Sequence, residues 1–358
     1  MNNILFIITK SCVGGAQVFV LDQAKILSKS GSKIHIATNQ EDWLTYNLNQ
    51  FISNKLINKS IEKYFSIIYL LKLIKFIKNN NIELIICNSA NAGLYGRIAA
   101  FITNKHSIYV THGWSSIYNG GKLKFLYNII EKLLSIISSS VLCISENDYL
   151  IAINKIKIKP KKCFIITNSI YPPQLKITSP RKSSNCIEIL TVCRLAYPKL
   201  PMLLIDSVKN MLNFNLTIVG DGPNFKEIVN YIRENKIQNI FLLGEIPKFN
   251  NFIKFDIFCL LSESEGLPMA GIEAMSFGLP LVLSNVGGCP ELIENNGYLV
   301  SNEIGDIQNA ISNSFLNKKM FSEASISLFN RKFNLTTKEK DYLNYFNRFL
   351  NQTTKYGK

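Results

Sequence analysis

Two carboxylates stand eight positions apart in the stretch SESEGLPMAGIEAMSFGLP, Ser262 to Pro280: Glu265 and Glu273. The apolar run DIFCLLS before them reads as a buried strand and MAGIEAMSF after them as a helix, with Gly278 a C-cap and Pro280 opening the next strand. The loop between therefore delivers the amides of Gly266, Leu267 and Met269 close to a helix N-terminus, which attracts anions such as phosphate. A carboxylate there repels phosphate, so Glu265 is expected to meet neutral hydroxyls, from which an ionised acid accepts two hydrogen bonds. Eight residues span about 12 Å if helical throughout, the reach of two hydroxyl-bearing groups separated by a diphosphate. A pair of acids favouring the helix dipole explains either one alone, but not the Gly-Leu-Pro between them.

A diphosphate needs cations. The stretch VCRLAYPKL supplies Arg194, whose guanidinium can fork onto phosphate oxygens, and Lys199, a mobile point charge. Taken alone, these are two solvated loop cations. Beside the acidic loop they fit a nucleotide-sugar: cations for its diphosphate, acids for its neutral ends.

These groups need elements to hold them. ILFIIT, KIHIAT, IELIICN, HSIYVTHG and SVLCIS in the first half read as short buried strands, and GGAQVFVLDQAKILSKSG as a Gly-rich turn followed by a helix. The second half restarts the alternation with IEILTVCRL, MLLIDSVKNM, NLTIVGDG, NFKEIVNYIREN, IFLLGEI, DIFCLLS, PLVLS and GYLV. Alternation of this kind predicts βαβ units and an α/β fold with two parallel sheets, and 358 residues suffice for two domains. The stretch 171–185, rich in Pro, Ser and Lys and without periodicity, is the linker candidate. Two such domains are expected to face a central cleft, with ligands beyond the carboxyl ends of the strands.

Composition excludes several classes. At 47% hydrophobic and 18% charged the chain is globular. The apolar run Ile4–Ile8 lacks a charged lead and a cleavage site, so a first strand is expected and not a signal peptide. No apolar run reaches the roughly 18 residues that span a bilayer. The eight cysteines form no C-x-x-C pair and several lie inside apolar runs, which reads as a reduced, cytoplasmic core. With three histidines and no D-x-D, no metal ligands are assigned and no metal bridging a diphosphate is implied.

The motifs R194-L-x-x-x-K199, IVGDGP at 218–223 and EGLPMAGIEAMSFGLPLVLSNVGGCPELI at 265–293 resemble glycosyltransferase family 4. So do GGAQ after the first strand, VTHG at 110–113, and CIS then IITNSI near the end of the first half, so the resemblance covers nearly the whole chain. It implies the GT-B architecture, two Rossmann-like parallel-sheet domains. The chain divides into an acceptor-binding domain at 1–172, a linker at 173–185, a donor-binding domain at 186–335, and a C-terminal helix at 336–358 packing back toward the first domain. By the resemblance, Glu265 contacts the donor sugar's hydroxyls and Glu273 the ribose. Arg194 and Lys199 hold the diphosphate and stabilise it as it leaves, and Gly266, Leu267, Pro268 and Met269 bind sugar and phosphate. Gly14 and Gly15 allow close approach at the first loop, and His112 sits by the reacting sugar. The implied reaction is metal-independent transfer of a hexose or N-acetylhexosamine from a nucleotide-sugar, UDP favoured, with retention at the anomeric carbon and no further cofactor. Departures from the family pattern are Leu200 in place of a Gly after the donor-binding Lys, Asn168-Ser169 in place of Asn-Gly, and Gln17 in place of an acid.

Charge is lopsided. Residues 1–180 hold 21 Lys+Arg against 8 Asp+Glu, and residues 181–358 hold 19 against 17. The basic half is expected to face something anionic. An amphipathic helix at 122–139, with Lys122, Lys124 and Lys132, and the run KIKIKPKK at 155–162, with Lys155 and Lys157, suit docking on anionic lipid at the inner face of the cytoplasmic membrane. That location fits an acceptor carried on a lipid diphosphate in surface-polysaccharide assembly such as O-antigen or capsule. An epimerase of the same architecture remains open. A dehydrogenase is disfavoured because Phe225 stands where the third Gly of the fingerprint would be. A nucleic-acid binder is disfavoured because no basic-aromatic recognition motif occurs.

Overall fold

The structure, a computed structural model, describes residues 2–114, 117, 121–173, 186–247 and 249–350. It divides into two units: residues 1–168 with 337–358, and residues 169–336. The expected linker lies, from residue 174 onward, outside the described residues.

The first unit is built on seven parallel strands: β1 (Asn3–Ile8), β2 (Lys33–Thr38), β3 (Ile52–Ile57), β4 (Leu84–Asn88), β5 (His106–Thr111), β6 (Ser140–Cys143) and β7 (Cys163–Ile165). Their order is β3-β2-β1-β4-β5-β6-β7, so the winding reverses between β1 and β4. Helices α1 (Gly15–Lys29), α2 (Trp43–Leu48), α3 (Ile67–Asn79) and α4 (Ala90–Ile102) connect the first strands. The central strands are almost wholly apolar because helices cover both faces of a parallel sheet. Strand β3, ISNKLI, has no apolar signature because it is an edge strand whose middle three residues are exposed.

The second unit carries six parallel strands: β8 (Ile187–Val192), β9 (Phe214–Val219), β10 (Ile240–Gly244), β11 (Ile257–Leu260), β12 (Leu281–Ser284) and β13 (Gly297–Val300). Their order is β10-β9-β8-β11-β12-β13, reversing between β8 and β11. Strand alternation splits the core in two. Ile189, Ile257, Cys259 and Val282 enter one cluster, while their neighbours Leu190, Phe258, Leu260, Leu281 and Leu283 enter the other.

The helix expected at 122–139 runs from Lys124 to Ile137, behind a single 3-10 turn at Gly121–Leu123. Its buried residues are Glu131, Leu134 and Ser135, whereas Phe125 is 77% exposed and Leu126, Leu133 and Ile136 are exposed beside it. The inward Glu131 is compensated by the fully buried Arg97 of α4, whose Nη2 donates to Glu131 Oε2 at 2.8 Å and whose guanidinium lies 4.2 Å over the Tyr109 ring. Lys162 closes the far end of this helix, donating to the carbonyls of Ser135, Ile136 and Ser138 at 2.6–2.8 Å. These are orphan carbonyls of a helix C-terminus, where a cation is favoured. One lysine of the run at 155–162 is thus engaged in holding the fold.

The last helix, Leu335–Leu350, buries Tyr342, Tyr345 and Phe346. Tyr342 meets Phe19 of α1 edge-on, and the Tyr345 and Ser140 hydroxyls share a 2.7 Å hydrogen bond.

Candidate active site

In open α/β sheets, ligands bind beyond the carboxyl ends of the strands where the winding reverses. In the second unit this edge carries Arg194 after β8 and the Ser262–Pro268 loop after β11. The two loops are tied together. Lys199 and Ser262 form an antiparallel bridge, the Glu263 amide donates to the Pro198 carbonyl at 2.9 Å, and the Leu200 amide donates to the Leu261 carbonyl at 3.0 Å. Across this seam Lys199 Nζ is ion-paired with Glu265 Oε1. The Arg194 side chain is exposed and has no protein partner among the described residues.

Glycines let backbone approach backbone here. A Cβ on Gly287, which has φ +55°, would stand 1.7 Å from the Glu265 carbonyl oxygen, and one on Gly288 2.0 Å from that of Gly266. The Gly-Gly pair after β12 therefore presses directly on the acidic loop and fixes its path. The Gly220-x-Gly222 stretch does the same for the cationic loop. A Cβ on Gly220 would meet the Cys193 carbonyl oxygen at 1.8 Å, and the Leu195 amide donates to the Asp221 carbonyl at 2.9 Å. That glycine pair holds the backbone on either side of Arg194.

The helix after the loop spans Met269–Ser276 and has Pro268 as its N-cap residue. Glu265 thus precedes the helix, so the 265–273 stretch is not helical throughout and the 12 Å estimate does not apply. At the other end Gly278, with φ +75°, donates to Met275 O and Leu279 donates to Ala274 O, a Schellman closure. The amides of Gly266 and Leu267 donate to no acceptor among the described residues. The Glu273 side chain lies half-buried on the helix with no partner among the described residues, and burial pushes its carboxyl up to about 7.

In the first unit the corresponding edge carries Gly14 and Gly15 after β1, Asn88 at the end of β4 and His112 after β5. Gly14 is extended, with φ 172°, and only the tip of the Gln17 side chain stands where its Cβ would be. Burial lowers the His112 imidazole to about 3, so the ring is neutral at ordinary pH. Asn88 Nδ2 donates to the Ile86 carbonyl at 3.3 Å, which turns its Oδ1 toward His112 Nε2 at 3.1 Å. An acceptor there requires the proton on Nε2, and a neutral ring then carries its lone pair on Nδ1. Phe19 of α1 packs edge-on against the imidazole at 5.1 Å. The turn after His112 is fixed from β6's side: Asp148 Oδ2 accepts from the Gly113 amide at 3.1 Å, and Trp114 Nε1 donates to the Asp148 carbonyl at 2.8 Å.

Residues 13–172 match the family described as Glycosyltransferase Family 4, and residues 176–325 match Glycosyl transferases group 1. The chain is 39% identical over 328 residues to the O-antigen biosynthesis glycosyltransferase WbnH of Escherichia coli, covering 91% of this chain and 94% of the relative. The chain belongs to glycosyltransferase family 4. A second Escherichia coli relative of this glycosyltransferase, described as a UDP-Gal:alpha-D-GlcNAc-diphosphoundecaprenol alpha-1,3-galactosyltransferase, is 28% identical over 267 residues, 68% of each chain. The crystal structure of Anabaena HepE in complex with UDP and glucose superposes with a TM-score of 0.83 at 20% identity, covering 96% of this chain and 99% of that one. The shared fold is GT-B, two Rossmann-like units.

Within the glycosyltransferase, Lys124, Lys132, Lys155 and Lys157 are exposed on the first unit, and the Lys122 side chain lies outside the described residues. Among the described residues no helix is long and apolar enough to cross a membrane. The sequence did not single out Asn88 or Asp148 of the transferase. Asn88 ends an apolar strand and Asp148 opens a helix, and neither position reveals which distant turn it grips. None of the eight cysteines is joined in a disulfide among the described residues; Cys12 is exposed and Cys186 and Cys193 half-buried, while the other five are buried.

Proposed function

We propose that the chain transfers a hexose or N-acetylhexosamine from a nucleotide-sugar, UDP-linked by preference, to a saccharide or lipid-diphosphate-linked acceptor in bacterial surface-polysaccharide assembly. The reading rests on one cluster: the exposed Arg194, the Lys199–Glu265 pair and the half-buried Glu273, the first and last without a side-chain partner among the described residues, on one edge of the second sheet. The relatives' descriptions as O-antigen and diphosphoundecaprenol-dependent transferases support the substrate class. In this reading the second unit binds the donor and the first unit the acceptor.

Arg194 and Lys199 take the diphosphate, with the amides of Gly266 and Leu267 as further donors, and stabilise the charge that grows on the leaving oxygen. Glu265, released from Lys199 as phosphate arrives, accepts hydrogen bonds from the sugar's hydroxyls, and Glu273 accepts from the ribose diol. Neutral His112 offers Nδ1 to a hydroxyl of the transferred sugar. The acceptor oxygen attacks the anomeric carbon from the face the diphosphate leaves. The C–O bond to phosphate breaks as the new glycosidic bond forms, and the acceptor's proton passes to the departing phosphate oxygen. The configuration is retained and an α-linked donor gives an α-linked product.

The exposed apolar side chains of the Lys124–Ile137 helix, flanked by Lys124 and Lys132, suit peripheral docking on anionic lipid at the inner face of the cytoplasmic membrane. The test is a thermal-shift screen of nucleotide-sugars followed by turnover on lipid-diphosphate-linked sugars. A UDP-sugar is expected to stabilise the protein and be consumed only with acceptor. A Glu265→Gln variant with full turnover sinks the site assignment.

A further inference from the structure

A pocket of about 340 Å³ opens on the first unit, lined by Glu62, Lys63, Tyr64, Phe65, Asn91, Leu94 and Tyr95. That volume lies at the small end of ligand pockets, roughly 300–1,000 Å³. The 3-10 turn Lys59–Glu62 follows β3 and α4 follows β4, so the pocket opens on the same strand-end edge as Gly14, Asn88 and His112. Asn91 is three residues beyond Asn88, the partner of His112.

The walls are held in place. Asn91 and Tyr95, four apart on one face of α4, grip the passing segment: Asn91 Nδ2 donates to the Ile61 carbonyl at 3.0 Å, and the Tyr95 hydroxyl accepts from the Ser66 amide at 2.7 Å. Phe65 stacks on Tyr95, with ring centroids 5.3 Å apart and planes within 10°. Tyr95 is buried, whereas Phe65 is half exposed and Tyr64 is 96% exposed, so two aromatic surfaces face the solvent. The Asn91 amide oxygen has no hydrogen-bond partner among the described residues. Glu62 uses Oε1 to accept from Asn39 at 3.0 Å and keeps Oε2.

This combination selects a ligand class. An apolar ligand would strip water from Glu62 and Asn91 without replacing its hydrogen bonds. An anion would meet Lys63 and Glu62 side by side, whose charges oppose each other. A pyranose brings hydroxyl donors for the two oxygens and an apolar C–H face for the rings. We propose that this pocket is a saccharide subsite for the acceptor, seating a sugar ring against Tyr64 and Phe65 with hydroxyls on Glu62 and Asn91. The proposal rests on the transferase reading above and adds to it where the acceptor sits.

The test is saturation-transfer NMR on the full chain with three probes, the methyl α-glycosides of galactose, N-acetylglucosamine and N-acetylgalactosamine. Each is measured on the wild type, Tyr64→Ala and Phe65→Ala, with UDP affinity read on the same samples. At least one glycoside is expected to saturate on the wild type and to bind tenfold more weakly to each variant, with UDP affinity unchanged. No saturation by any of the three, or saturation that survives both substitutions, overturns the proposal. Loss of UDP binding by the wild type itself strikes instead at the donor reading. Tyr64 contributes nothing to the core, so its variant stays folded even if Phe65→Ala does not.

Discussion

Lys199 and Glu265, placed on loops that follow different strands, form an ion pair at the edge of the second sheet. Only 9% of the Glu265 side chain and 19% of the Lys199 side chain are exposed, so each is the other's chief counter-charge. In the proposed reaction the donor separates them, phosphate taking the ammonium and sugar hydroxyls the carboxylate. Glu265→Gln is therefore expected to lower turnover by roughly 100-fold, the scale of one or two hydrogen bonds to a charged group. It should leave affinity for UDP alone unchanged or slightly tighter, because Lys199 is set free. Lys199→Ala should weaken UDP and also cost roughly 1–3 kcal/mol of stability, since it leaves a buried carboxylate unpaired. Isothermal titration and thermal melts of both variants check the contrast.

The Arg194 side chain is exposed and has no partner among the described residues, so removing it should leave the melting temperature alone. Arg194→Ala is expected to raise the donor KM about 10- to 100-fold, the equivalent of a charge-assisted hydrogen bond or two. Arg194→Lys should recover only part of it, because an ammonium cannot fork onto two oxygens. Steady-state kinetics at fixed ionic strength decide the matter.

If Glu273 holds the ribose as proposed, donor binding should depend on pH. Its carboxyl titrates at about 7, and the ribose diol is best accepted by the ionised form. Affinity for UDP-glucose, whose phosphates do not titrate near neutrality, should weaken below that pH by up to about tenfold per unit. Glu273→Gln should flatten the profile at low affinity. Stability runs the other way. Between the ordinary value of 4.5 and about 7 the unfolded chain ionises this group while the folded one does not. The native state therefore loses stability across that window, and the loss is complete above it. Glu273→Gln should melt higher than the wild type at pH 8, and the gap should close only below about pH 4, where both states carry the protonated acid.

Asn88 sets the tautomer of His112. Asn88→Asp keeps the acceptor and adds a negative charge, so the imidazole should rise from about 3 and the acid limb of the kcat profile should move upward with it. Asn88→Leu removes the acceptor and should lower kcat tenfold or more with unchanged UDP affinity. A pH–rate profile of each separates this role from a loss of folding.

The outward row of the Lys124–Ile137 helix predicts membrane behaviour. Replacing Phe125, Leu133 and Ile136 by serine should leave the fold intact, since all three are exposed, and should weaken binding to anionic vesicles. Raising salt should weaken it further through Lys124 and Lys132. Sedimentation with vesicles of stated charge measures both.

The parallel sheets were legible in the sequence because strands covered on both faces must be apolar throughout, as in LIICN, IFCL and LVLS, whereas the strand order and its reversal between β1 and β4 and between β8 and β11 were not. Strand β3 was not, since an edge strand carrying Ser, Asn and Lys outward keeps no such record. The motif residues Arg194, Lys199, Glu265 and Glu273 could be named from type and spacing, because phosphate needs cations and hydroxyls need acceptors. Their arrangement could not. Which cation meets which acid depends on a Gly-Gly turn pressing on Glu265's own backbone, and a one-dimensional string does not show a backbone approach that leaves no room for a Cβ. In the same way the sequence contained a strand-end histidine and a basic, amphipathic helix. Only the tertiary structure decided that Asn88 fixes the imidazole's proton, that Lys162 is engaged in closing the helix, and that the apolar row faces outward. Residue chemistry is local and survives in the sequence, whereas burial, tautomer and pairing are set by neighbours that the fold brings from far along the chain.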